Sequence, residues 1–370
     1  MDFTNLKHFM DDMAANHTPG AAVEVYYGGK KVFRYACGYS DLASQTLMTG
    51  EEMFNIYSCS KITTVTAGAQ QLERGKFLLN DPLAEYIPEF AKMQIQQPDG
   101  TLTEARNQIT VGDLFSMTAG FTYNMQSEGF KRAEELTGGR MDTVQTIKCM
   151  AADPLSFEPG TLRRYSGRAA FDVLGRIVEV TAGVDFAAFV QQEIVAPCGM
   201  VDTTFAPNAD QWARMVGMHG YQDGRGILAE TTPGCVVDSI PVTHPLGGAG
   251  LVSTLDDYIK FAQMLQNQGM TENGRILDAS WIRRMATPQL APELMNEMVN
   301  QGLGVRVIVG ESYPYLAAGS YGWSGAYGTH FWVDPINGIT AVYLKNSLYD
   351  GGSGSLTGKH FEEDIYNSII

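Results

Sequence analysis

Apolar residues recur at three- and four-residue steps at the start of the chain, at Phe3, Leu6, Phe9, Met10 and Met13. That spacing predicts an amphipathic helix that stops before Pro19-Gly20. The pattern then changes to two β-rich runs, Ala21 to Tyr27 and Lys31 to Cys37, divided by Gly28-Gly29-Lys30, which reads as a hairpin with a glycine turn. Helical spacing returns at Ile62, Val65, Ala69 and Leu72, with Gly75 as the C-cap. Further helices are expected at Ile109 to Met117 with Thr110 as cap, Met141 to Ala151, Ala169 to Ala182, Phe186 to Ala196 and Thr254 to Asn267. Val201 to Pro245 shows no period and is rich in glycine and threonine, so it reads as connecting structure over a surface. Strand patterning resumes at Gly304 to Val309, Gly328 to Asp334 and Ile339 to Lys345, the last two joined by the hairpin turn Pro335-Ile336-Asn337-Gly338. Gly351 to Ser355 reads as a mobile loop, and a helix from Phe361 to Ile370 ends the chain.

Strands thus gather at both ends and helices in the middle. This predicts an α/β protein of the α+β type: a central antiparallel sheet built from both termini, flanked by helices, with a mainly helical region inserted. The expected division is 1–75 with 290–370 for the sheet domain and 76–289 for the helical domain. Forty-one acidic against 26 basic residues leave a net charge of −15 and no basic stripe, which excludes an ordinary nucleic-acid binder. No apolar run reaches the ~18 residues a membrane span needs, and Met1 to Gly20 has no apolar core of a secretory leader. The five cysteines (Cys37, Cys59, Cys149, Cys198, Cys235) are scattered and odd in number, which argues against a disulfide framework and for a reducing cytoplasm. Neither C-x-x-C nor H-E-x-x-H occurs, so no metal site is expected.

Candidate chemistry starts at Tyr57-Ser58-Cys59-Ser60-Lys61, at the start of a helix expected to run to about Gly75. Ser58 and Lys61 form S-x-x-K, a pattern of serine nucleophiles with a lysine base. Three residues is nearly one turn, so both side chains project from one face. A lysine acts as a base only when neutral, and full burial can lower its pKa by ~3–5 units. A chain of this length yields on the order of one or two chance matches, so S-x-x-K alone equally describes a helix cap and a solvated lysine. Acyl transfer also needs a proton shuttle and oxyanion donors. Tyr165-Ser166-Gly167, between a Pro-Gly turn and a helix, and Tyr321 to Ala326, just before a strand, are where these can come from. No G-x-S-x-G elbow occurs, which removes the main support for an α/β-hydrolase.

In this order the three stretches resemble the serine β-lactamase/penicillin-binding protein superfamily, in the branch of class C β-lactamases and family VIII carboxylesterases. The resemblance extends over Pro19 to Val23, Ile109 to Gly120, Phe157 to Thr161, Asp172 to Arg176, Gly247 to Asp257 and Phe331 to Pro335. It implies a β-lactamase/transpeptidase-like fold with no cofactor. Ser58 would be the nucleophile, Lys61 the base or relay, and Tyr165 the partner sharing its proton. The Tyr165 phenol, ~10 in water, would have to be lowered by cationic charge to act as a base. The backbone N–H groups of Ser58 and Ala326 would form the oxyanion hole, each such donor being worth ~3–4 kcal/mol of barrier. Trp323, Ser324 and Gly325 would line the substrate site. Tyr123 would touch substrate or be an exposed loop aromatic, and Cys59 would be a small buried hydrophobe.

Two departures bear on the substrate. Trp323 stands where β-lactamases carry lysine, and Gly167 where they carry asparagine. Both changes remove recognition groups for penicillins and D-Ala-D-Ala peptides, while Arg306 and His330 read as strand surface residues. The expected activity is therefore hydrolysis of a small-molecule ester with a small to medium acyl group. The alternatives are an amide or β-lactam substrate (D-aminopeptidase, D,D-carboxypeptidase, weak β-lactamase), an acyltransferase, and a non-catalytic penicillin- or peptide-binding module.

Overall fold

The computed structural model describes residues 1–121, 127–167, 169–222, 225–228, 234–237, 240–295, 298–311, 313, 315–350 and 355–370. Helix α1 (Thr4–Asn16) is followed by strands β1 (Gly20–Tyr27), β2 (Lys30–Asp41) and β3 (Thr46–Leu47). The middle of the chain supplies α2 (Ser60–Glu73), α3 (Val111–Ser116), α4 (Ala169–Ala182) and α5 (Leu255–Gln266), among shorter pieces. Strands β4 (Val299–Gln301), β5 (Arg306–Ile308), β6 (Tyr321–Ser324), β7 (His330–Asp334) and β8 (Ile339–Lys345) precede the last helix, α6 (Ser355–Ile369).

The eight strands form one sheet in the order β4-β5-β6-β7-β8-β1-β2-β3. The β1–β8 seam is antiparallel and runs from Ala21 opposite Lys345 to Tyr27 opposite Ile339, so both ends of the chain meet inside the sheet. Gly28 and Gly29 turn the β1–β2 hairpin with φ of 56° and 75°, values that L side chains rarely adopt.

Alternation along the strands gives the sheet two apolar faces. On one, Leu6, Met10 and Met13 of α1 and Phe361 and Ile365 of α6 pack with Val23, Trp332 and Tyr343. On the other, α2 and α5 join Phe331, Val333, Val342 and Leu344 in the larger core. Helix α2 is buried along its whole length from Ser60 to Leu72, as a helix at the centre of a core must be. At Gly68 an added Cβ would lie 2.8 Å from the Phe115 ring, so glycine sets how closely α3 approaches.

Local signals held where they were strong. Thr110 closes a capping box with Asp113, and Thr254 accepts from the Asp257 N–H. Differences lie where tertiary contact decides. Tyr57–Cys59 is a separate 3-10 turn ahead of α2, and Gln191–Val195 continues the helix from Phe186 as a π-turn. Tyr321–Ser324 is itself a strand, not a loop before one. A helix at Glu128–Thr137, capped by Ser127, has no counterpart in the sequence reading. Val201 to Pro245 is more than surface connection: Val236, Val237 and Ile240 pack with Leu246 and Met53. The loop expected at Gly351 to Ser355 falls outside the described residues except Ser355, where α6 already begins.

Candidate active site

The 3-10 turn places Ser58 just ahead of α2, and Lys61 follows on the first turn of the helix. Lys61 is fully buried. Its Nζ donates to Ser58 Oγ at 3.0 Å and to the carbonyls of Gly167 and Gly248, both at 2.6 Å. Three acceptors match the three N–H groups of an ammonium, which a neutral amine does not have, so this geometry holds a proton on the resting lysine. Tyr165 reaches the same hydroxyl from the segment before α4, with its OH 2.6 Å from Ser58 Oγ. Lys61 Nζ also stands 5.2 Å from the Tyr165 ring centre. The structure thus brings Ser58, Lys61 and Tyr165 to one point.

The expected lowering of the Tyr165 phenol is not what the surroundings produce. Burial pushes its pKa above the ordinary value, and hydrogen bonding from Ser58 and Trp323 with the Arg163 charge only partly opposes it. Burial thus keeps Tyr165 a neutral phenol beside the Lys61 amine. Cys59, next to Ser58, is buried, and burial raises its thiol to about 12. It behaves as the small hydrophobe expected.

Strand β6 closes the site. A Cβ at Gly325 would lie 2.6 Å from Ile56 O and 3.1 Å from Ser58 N, so only glycine lets this strand end against the Ser58 backbone. Ser58 and Ala326 stand in two short 3-10 turns that this close approach brings together. Trp323 is buried and stacks on Tyr165 with ring centres 6.2 Å apart. Ser324 turns to the opposite face of the strand, with Oγ 2.8 Å from His330 Nδ1. Tyr123 lies outside the described residues.

Sequence reasoning missed one pair here. Tyr57 and Tyr327 hold positive φ, 43° and 59°, and their rings stack at 5.2 Å. They flank Ser58 and Ala326, so two strained residues bind the two N–H-bearing segments together. His330 is also not a surface residue, and Arg306 is only partly exposed, with 23% of its side chain open to solvent. His330 is buried with Nε2 3.0 Å from Glu362 Oε1, and Arg306 pairs with the same carboxylate. Among the described residues no group of three or more His, Cys, Asp or Glu could hold a metal ion, and no helix is long and apolar enough to cross a membrane.

The Beta-lactamase family model matches residues 6–359. Protein Rv1367c of Mycobacterium tuberculosis is 30% identical over 348 residues, 88% of this chain and 85% of that protein. Esterase EstB of Burkholderia gladioli is 26% identical over 378 residues, covering 91% and 88%. A putative D-alanyl-D-alanine carboxypeptidase of Escherichia coli (strain K12) is 28% identical over 313 residues, covering 80% and 69%. Among solved structures, EstCE1, a hydrolase with promiscuous acyltransferase activity, superposes with a TM-score of 0.79 at 21% identity, over 99% of this chain and 98% of that one, which shows a shared fold. Relatives named as esterase and carboxypeptidase make hydrolysis the common ground. The chain belongs to the Beta-lactamase family.

Proposed function

We propose that this protein is a serine hydrolase that cleaves carboxylic esters with small to medium acyl groups through an acyl-enzyme on Ser58. The observation that carries the reading is the convergence of Lys61 Nζ (3.0 Å) and Tyr165 OH (2.6 Å) on Ser58 Oγ. The resting pair holds one proton too many to act as a base, so the active form is the one in which the Lys61–Tyr165 pair has released one. That form takes the Ser58 proton as Oγ attacks the ester carbonyl carbon. The oxyanion develops between the N–H groups of Ser58 and Ala326. Tyr165 passes the proton to the departing alkoxide; the same pair then deprotonates a water as it attacks the acyl carbon and returns that proton to Ser58 Oγ as the carbon–Oγ bond breaks, releasing the acid.

Trp323 in place of a cation, and Gly167 in place of an amide, support a neutral ester over a carboxylate-bearing lactam or peptide. The name of EstB supports an ester, whereas the carboxypeptidase relative supports the amide reading. All five cysteines are free, which supports a reducing compartment. The test compares hydrolysis of p-nitrophenyl butyrate with that of a chromogenic cephalosporin. The butyrate is expected to turn over faster, and Ser58→Ala to lower kcat by ~10³-fold or more. A cephalosporin preference would move the assignment to the lactam reading. Absence of turnover with both substrates would leave a binding module.

A further inference from the structure

Gly247 to Gly250 offers no side-chain chemistry, yet it is built into the catalytic helix. The peptide unit joining Gly247 to Gly248 is clamped from two sides. Its carbonyl, Gly247 O, accepts from the Thr64 hydroxyl of α2 at 2.7 Å. Its N–H, on Gly248, donates to Asp172 Oδ1 of α4 at 3.1 Å. The next carbonyl, Gly248 O, then lands 2.6 Å from Lys61 Nζ. A Cβ at Gly247 would sit 2.4 Å from Phe171 O, so glycine is what lets the turn come this close to α4. Asp172 is buried at 3% exposure, and the hydrogen bond it accepts from the Gly248 N–H favours its ionised form and links it through that one residue to the amine.

We propose that Asp172 is a positioning residue for the proton-handling amine. By holding the Gly247–Gly248 peptide, it aims the Gly248 carbonyl at Lys61, and its charge favours the ammonium. The proposal rests on the Ser58–Lys61–Tyr165 reading of the site. Among the described residues, Tyr165, Cys59, Arg163 and Tyr258 are other titratable groups around that site. His244 faces Asp172 from the preceding loop, its Nε2 3.8 Å from Oδ2 and beyond hydrogen-bonding reach.

The test measures kcat, KM and the pH profile of kcat/KM for Asp172→Asn, Asp172→Ala and Ser58→Ala with p-nitrophenyl butyrate. Asparagine keeps an acceptor for the Gly248 N–H and removes the charge. Its kcat should stay within about threefold of the parent, while the acidic limb moves to lower pH by ~0.5–1 unit. Alanine frees the peptide, and kcat should fall by ~10²-fold with KM little changed. A parental kcat in Asp172→Ala, or an unshifted limb in Asp172→Asn, overturns the proposal. Should Asp172→Ala fail to melt cooperatively, Thr64→Val loosens the same peptide from the other side, and an unaltered kcat there overturns it too. Activity surviving Ser58→Ala would remove the underlying reading, whereas an inactive Ser58→Ala beside indifferent Asp172 variants would remove only the role of Asp172.

Discussion

Strand β6 separates two buried polar clusters of opposite character. On the Trp323 side, Lys61 is held by a hydroxyl and by the carbonyls of Gly167 and Gly248, and burial keeps the Tyr165 phenol protonated. On the Ser324 side, Glu362 takes Arg306, His330 Nε2 and the Tyr313 hydroxyl. Burial there works against the carboxylate, yet the Arg306 charge and the His330 hydrogen bond bring its pKa down to about 2. Neutral acceptors can hold a proton or let it go at modest cost, so the first cluster suits proton transfer. Opposed full charges fix each other, so the second suits holding a strand in place.

The sharpest way to break this contrast is Tyr165→Phe, which keeps the ring on Trp323 and removes the hydroxyl. We expect kcat to drop by ~10²–10⁴-fold with an unchanged melting temperature. In the parent protein kcat/KM should rise with pH beyond neutrality, because the raised phenol and the held ammonium delay release of the first proton. A flat profile between pH 6 and 9 would contradict that protonation state. The second cluster should respond in stability. Glu362→Gln leaves the buried His330 and the partly exposed Arg306 without their carboxylate and should cost about 2–4 kcal/mol, read by urea unfolding at pH 7. The sign with pH follows from the depressed folded value. The Glu362 contribution is complete above its ordinary value of 4.5 and fades as pH falls toward about 2, so the gap between parent and variant should narrow over that window. The smallest effect is a null one. Iodoacetamide at pH 8 should leave Cys59 unmodified and activity intact, since its thiol is buried and raised to about 12.

How much of this was legible in the sequence followed from the range of the interactions. Ser58 and Lys61 are three residues apart on one helix start, so their meeting is a local matter. Tyr165 was placed by the order of motifs and not by any period. The Glu362–His330–Arg306 cluster joins a helix to two strands, and no local pattern marks it. Strand β6 was missed because Gly322 and Gly325 look like loop residues, although close approach to Phe331 and to the Ser58 backbone is what requires them. The left-handed backbone at Tyr57 and Tyr327 has no sequence signal either, since tyrosine does not favour it. Asp172 and the glycines at 247 and 248 were noticed only as family likeness, and their shared peptide clamp exists only in three dimensions.

The seam between the first and last strands has a consequence during synthesis. Residues 21–27 leave the ribosome well before the partner they need, 339–345, which emerges only after all the intervening chain has been made. The loop that this contact closes spans most of the sequence, which makes assembly of the sheet slow and late. The segment carrying Ala326 comes off equally far behind Ser58 and Lys61, so the strand end that packs on the Ser58 backbone can join it only once that later stretch has been made.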